Sequence, residues 1–192
     1  MDRANGTGLT VVDEANRHHA LYLAEMDIGT SKEVVLVKFS AKYHEDAHLL
    51  LANAKPPLAP ILHFCARVVG DMYMVVMEYI PKSEGQSLFA APPPPPALEG
   101  IRKDIKRALD LLHENGFVFG DLRESNVLYL PKDGGRVLPV DFDNVGEHGK
   151  GKYSACLNPE AKLGVARGQT MDKDHDHKNL ERLMERFTST VV

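Results

Sequence analysis

The 192-residue sequence has no tryptophan and only two cysteines, Cys65 and Cys156. Two cysteines cannot build the disulfide framework of a small secreted domain; they suit a reducing, intracellular setting, cytoplasmic or nuclear. Nor is there a basic excess: 23 basic residues stand against 27 acidic ones, a net charge of −4. Nonspecific nucleic-acid binders take their affinity from clustered cations, so nucleic acid is not an expected partner. No apolar run approaches the roughly 20 residues that span a bilayer. The opening residues 1–8 lack the apolar core of a secretory signal. No membrane partner is expected. Hydrophobic residues make up 43% and charged residues 26%. That is the balance of a chain that buries a core, as one domain or two small lobes.

Residues 1–20 are polar and weakly patterned, which suggests a loose N-terminal segment. Glu33–Phe39 is short and β-branched, a buried-strand pattern. Tyr43, Ala47, Leu50, Leu51 and Ala54 then recur at helical spacing until Lys55-Pro56-Pro57 stops them. Ile61–Val69 and Met72–Ile80 read as two strands joined by a tight turn at Gly70-Asp71. Residues 81–97 contain the run Pro92–Pro96 and read as an extended linker that divides the chain. A proline tract can also be a ligand for a partner's aromatic groove, but no basic residue flanks this one. Beyond it, Ile101, Ile105, Ala108, Leu109 and Leu112 predict a helix that Asn115-Gly116 ends. Asn126–Leu130 and Arg136–Phe142 read as short strands around the turn Lys132–Gly135. Leu180, Leu183, Met184 and Phe187 line one face of a final helix.

The chemistry concentrates in Phe119–Asn126 and Val140–Asp143. Asp121 and Asn126 lie five apart in a loop after a helix, and Asp141 follows the next strand pair. Phosphoryl transfer uses such oxygen-rich groups: one carboxylate to orient and deprotonate a hydroxyl, an amide oxygen and a second carboxylate to hold Mg2+. Asp172–His177 alternates acids and histidines but lacks the two-histidine helical spacing of a metal site.

Asp121 with Asn126, and Asp141-Phe142, resemble the catalytic and magnesium loops of the protein-kinase superfamily. Met74–Ile80 resembles a hinge strand, Val35–Lys38 the strand of the phosphate-binding lysine, and Asn158-Pro-Glu160 the end of an activation segment. The pattern covers about residues 33 to 187. Val37-Lys38-Phe39, Tyr43–His48, Gly120–Arg123 and Val140–Asp143 are similar to a kinase-like group abundant in basidiomycete fungi.

The resemblance implies an α+β, two-lobed fold: an N-lobe of sheet plus one helix over 21–80, the hinge and linker 81–97, and a mainly helical, truncated C-lobe over 98–192. It implies ATP and Mg2+ as cofactors. Lys38 would contact the α- and β-phosphates, and Glu45 or Asp46 would pair with it; Asp46 matches the motif and Glu45 has the longer reach. Met77 would be the gatekeeper, and backbone groups of Glu78 and Ile80 would read adenine. Asp121 would be the base, Arg123 would neutralise the moving phosphate, Asn126 and Asp141 would hold Mg2+, and Asp176 would brace the catalytic loop. The substrate would be a hydroxyl, most simply of a protein serine or threonine.

Several departures open other readings. No glycine-rich segment precedes Lys38, Phe119 replaces the usual histidine, and Asp143 replaces a glycine. These favour a pseudokinase that binds nucleotide or a partner without turnover. Gly120-Asp121 also resembles small-molecule kinases of the aminoglycoside type. Gly120 stands where regulated members carry arginine, so activation by a phosphorylated segment is not expected. Residues 188–192 leave no length for later large-lobe helices, whose place a protein partner would take.

Overall fold

The computed structural model describes residues 8–16, 20–154 and 164–189. Asn158-Pro-Glu160 lies outside them. By its contacts the chain divides into two units: residues up to 42 with 60–79, and residues 43–59 with 80 onward.

The first unit is one antiparallel sheet. Its strands are Leu9–Asn16 (β1), Leu21–Ile28 (β2), Ser31–Ser40 (β3), Leu62–Val68 (β4) and Met72–Glu78 (β5), in the order β1-β2-β3-β5-β4. Within the segment expected to be loose, residues 9–16 form β1. An edge strand is held by its backbone ladder to a neighbour, here β2, which needs no apolar periodicity of its own. The β1–β2 connection, residues 17–20, contains no glycine in its sequence. The β4–β5 turn falls where expected: residues 69–71 join the paired Val68 and Met72, and Gly70 and Asp71 have φ of +82 and +58, left-handed values that glycine and aspartate adopt more readily than most residues. Alternation places Ala24, Met26, Val35, Val37 and Val76 in one buried cluster, flanked by Tyr22, Phe39 and Met74.

Among the described residues the second unit holds three helices, Glu45–Ala52 (α1), Leu98–Glu114 (α2) and Lys173–Ser189 (α3). Five short strands accompany them: Gln86–Ser87 (β6), Phe117–Val118 (β7), Val127–Leu130 (β8), Arg136–Pro139 (β9) and Gly146–Glu147 (β10). The five apolar residues that predict α2 are all buried to within 1% exposure, and α2 packs against β9, α3 and α1. The proline run is less inert than expected. β6 pairs with β8 within the presumed linker, and Pro95–Ala97 form a 3-10 turn that leads into α2. Proline's fixed φ suits the first turn of a helix, where its missing N–H is not needed. The strand expected to reach Phe142 ends at Pro139, because Asp141 turns left-handed. Among the described residues no helix is long and apolar enough to cross a membrane.

Ile105 is fully buried whereas Val69 is 98% exposed. Ile105→Ala is expected to cost about 2–4 kcal/mol through lost burial and a residual cavity. Val69→Ala is expected to change stability by less than about 0.5 kcal/mol. Urea midpoints of the two variants check this contrast.

Candidate active site

Two loops of the second unit run side by side because two pairs of short strands hold their ends. The first loop runs from β7 to β8 and the second from β9 to β10. β7 pairs with β10, and β8 pairs with β9. The Val140 N–H donates to the Asn126 carbonyl at 2.9 Å, which closes the gap between the loops. The ladders therefore fix the ends between which each loop runs.

Asp176, from the first turn of α3, anchors the first loop and is fully buried. Its Oδ2 accepts the Phe119 N–H at 2.7 Å and its Oδ1 the Gly120 N–H at 2.9 Å. His113, near the end of α2, donates from Nε2 to Oδ2 at 2.9 Å. Three donors offset the cost of burying this carboxylate, in the bracing role the sequence suggested. Phe119 contributes its backbone here, and its side chain fills the core. It meets Phe142 edge-on at 5.8 Å, and Phe142 stacks on His48 at 4.5 Å. The Tyr43 hydroxyl lies 2.6 Å from His48 Nδ1, and the His44 N–H donates to the Phe142 carbonyl at 3.2 Å. The imidazole that reaches Asp176 is that of His113, which sequence reasoning missed. Its only signal is a buried polar residue on the apolar face of α2.

Gly120 has φ +78, and a Cβ there would stand 2.6 Å from the Asn144 carbonyl oxygen and press on Met171 Cε. Only glycine combines that backbone with that approach. This accounts for Gly-Asp in place of a bulkier pair.

Asp121 is the next residue and is only 4% exposed. Its Oδ2 accepts the side-chain N–H groups of Asn126 at 3.0 Å and Asn144 at 3.2 Å. Arg123 Nε stands 3.1 Å from Oδ1, an ion pair whose angle does not make a hydrogen bond. Burial pushes the Asp121 carboxyl up to about 6. Arg123 opposes the rise, the Asp141 charge adds to it, and the Asn126 and Asn144 hydrogen bonds oppose it. Asn126 directs its amide nitrogen to Asp121, both to the side chain and to the carbonyl oxygen. Its amide oxygen, which accepts from the Ser125 hydroxyl at 3.0 Å, is thereby left as a hard oxygen donor. Together with the Asp141 carboxylate it fits the donor chemistry of Mg2+, which takes few protein oxygens and keeps waters. Asp141 has φ +72, a left-handed conformation that costs a non-glycine residue about 1–2 kcal/mol. Asp143 sits in the 3-10 turn Phe142–Asn144. The strained position is therefore the carboxylate residue itself.

The remaining expected residues fall as follows. Lys38 on β3 is opposite Leu21 and Val75, and it alternates with Val37 and Phe39 of the buried cluster. It shares the other face with Leu36 and Met77. The Glu78 N–H donates to the Ile61 carbonyl at 2.8 Å, and Glu78 Oε2 accepts the Ile61 N–H at 3.0 Å. Lys38, Met77 and Glu78 belong to the first unit; Ile80, Glu45 and Asp46 belong to the second. Glu45 and Asp46 are exposed in the first turn of α1, where acids suit the helix dipole. Asp46 also borders an open groove of about 470 Å³ lined by Leu49, Leu50, Asn53, Ala54 and Leu111. The acid and histidine run of α3 diverges: Asp176 turns to the loop, His175 to Tyr153 and His177 to the His113 ring.

Two outcomes test this geometry. The Asp121 carboxyl has an ordinary value of 3.8 and a folded value of about 6. The folded state thus holds the proton more tightly, so the stability linked to Asp121 is complete below about pH 4 and is lost as pH rises through about 6. Asp121→Asn lacks this penalty. Its stability relative to wild type is expected to rise by about 2–3 kcal/mol between about pH 4 and pH 7.5, read by urea unfolding in metal-free buffer. Gly120→Ala is expected to cost at least about 2 kcal/mol in the same assay.

Comparison with known proteins adds one finding. No family model matches the sequence, and no curated protein matches it. Among solved structures, the Cydia pomonella granulovirus kinase PK-1 matches with a TM-score of 0.71 at 18% identity, over 95% of this chain and 69% of its own. At that identity the likeness speaks for the fold. The chain has a protein-kinase-like α+β fold, with an antiparallel-sheet unit and a mainly helical unit.

Proposed function

We propose that this chain is a phosphotransferase of the kinase type that uses Mg-ATP and acts on a hydroxyl, most simply that of a protein serine or threonine. The observation that carries the reading is the buried Asp121 carboxylate. It is held by Asn126 and Asn144 and flanked by the charges of Arg123 and Asp141. A carboxyl raised toward neutrality by burial is a good proton acceptor near physiological pH. Mg-ATP brings the phosphoryl group and screens its charge. The chain's own residues do the rest. Asn126 and Asp141 hold the metal, and Lys38 meets the α- and β-phosphates with Glu45 or Asp46 as its partner. The backbone of Glu78 and Ile80, beside Met77, reads adenine. Asp121 takes the hydroxyl proton, and Arg123 offsets negative charge on the reacting group. We read residues 21–80 and 98–192 as the two kinase-like lobes, and the Val-Lys-Phe and Val-Asp-Phe-Asp patterns as marks of the fungal group.

The connection between β1 and β2 favours a second reading. Residues 17–20 read Arg-His-His-Ala, with no glycine to let a backbone close over phosphates. A nucleotide-binding pseudokinase would need no such closure.

Wild type is expected to bind Mg-ATP and turn it over, with peptide and metabolite hydroxyl panels showing the acceptor. Asp121→Ala is expected to bind with similar affinity and to lose about 10²- to 10⁴-fold in turnover. Asp141→Ala is expected to raise the Mg2+ concentration required. Calorimetry and ADP release read both. Binding without turnover by wild type would support the pseudokinase, and no binding would sink both readings.

A further inference from the structure

Asn144 lies outside the aspartate-asparagine pattern that drew attention to the site, yet it touches the central carboxylate from the opposite loop. It ends the 3-10 turn Phe142–Asn144, and its side-chain N–H donates to Asp121 Oδ2 at 3.2 Å. Asn126 donates to the same oxygen at 3.0 Å. A carboxylate oxygen has two lone-pair directions, so two amide donors fill Oδ2. Oδ1 faces Arg123 Nε at 3.1 Å, in an ion pair that makes no hydrogen bond. The backbone of Asn144 is fixed independently, because its carbonyl oxygen is packed against Gly120, where a Cβ would stand at 2.6 Å. The β7–β10 pair begins two residues later, at Gly146. The donor therefore stands on a rigid support at both ends.

We infer that Asn144 is a positioning residue: with Asn126 it occupies Oδ2 of Asp121, sets the plane of the carboxylate, and leaves Oδ1 as the atom that accepts the substrate hydroxyl proton. This rests on the phosphotransferase reading above. It also assigns the ordering of the base to a contact within the two loops. A separate phosphorylated segment is then not needed to assemble it, which agrees with Gly120 standing where an arginine would serve that purpose.

The test pairs kinetics with a measurement that needs no turnover. Asn144→Leu keeps the branched heavy-atom shape and removes the donor. Both it and Asn144→Ala are expected to lower kcat about 10- to 100-fold, with KM for ATP changed less than about twofold. Neither is expected to slow Asp121→Ala further. In 15N spectra, the Asn144 side-chain amide pair, assigned by its loss in Asn144→Leu, is expected to move when Asp121 becomes alanine. A wild-type rate for Asn144→Leu would overturn the inference, since packing alone would then suffice. So would a raised KM with unchanged kcat, additive losses with Asp121→Ala, or an amide pair indifferent to Asp121→Ala. If wild type itself does not turn over, the phosphotransferase reading fails, and the amide pair still decides whether Asn144 holds Asp121.

Discussion

The second unit is organised around one buried negative charge. Asp176 contributes no chemistry of its own, yet it receives two consecutive backbone N–H groups and an imidazole N–H. Unpaired, such a carboxylate would be costly to bury; paired, it joins α3, α2 and the first loop into one body. Consecutive amides bound by the two oxygens of one carboxylate fix the peptide plane between Phe119 and Gly120. The direction in which Asp121 leaves the backbone follows from that plane. Glu124 adds a second tie to α3 through its ion pair with Arg186.

Around this anchor the two loops hold arrangements that cost stability. Asp121 is buried beside Asp141, and Asp141 is held left-handed. Both arrangements are unfavourable by themselves. They persist because the paired strands β7–β10 and β8–β9 and the aromatic group of Phe119, Phe142 and His48 over-determine the two loops. Phe119 takes part in both the anchor and the aromatic group: its backbone N–H goes to Asp176, where His113 of a neighbouring helix supplies an imidazole, and its side chain packs on Phe142.

Much of this was legible in the residues. The α2 face at Ile101, Ile105, Ala108, Leu109 and Leu112 is legible because helical periodicity and burial are the same fact seen twice. Gly70-Asp71 is legible because a left-handed pair restricts composition. Asp121, Asn126 and Asp141 stand out because few structural needs place those three types at that spacing. β1 and β2 are not legible, since a strand is defined by its partner and theirs carry little periodicity. The Pro95–Ala97 turn is hidden because proline both breaks a helix and begins one.

The sequence by itself therefore determined which side chains hold acid, amide and cationic groups, and which helix faces are buried. Those properties belong to single residues or to one local period. The tertiary structure alone decided that His113 serves Asp176, that Asn144 reaches Asp121, and that Gly120 must be glycine. Each of these joins residues 23 or more positions apart through strand pairing and loop contact. No local pattern carries that information, because the partner is chosen by the register of the ladders that bring the two loops together.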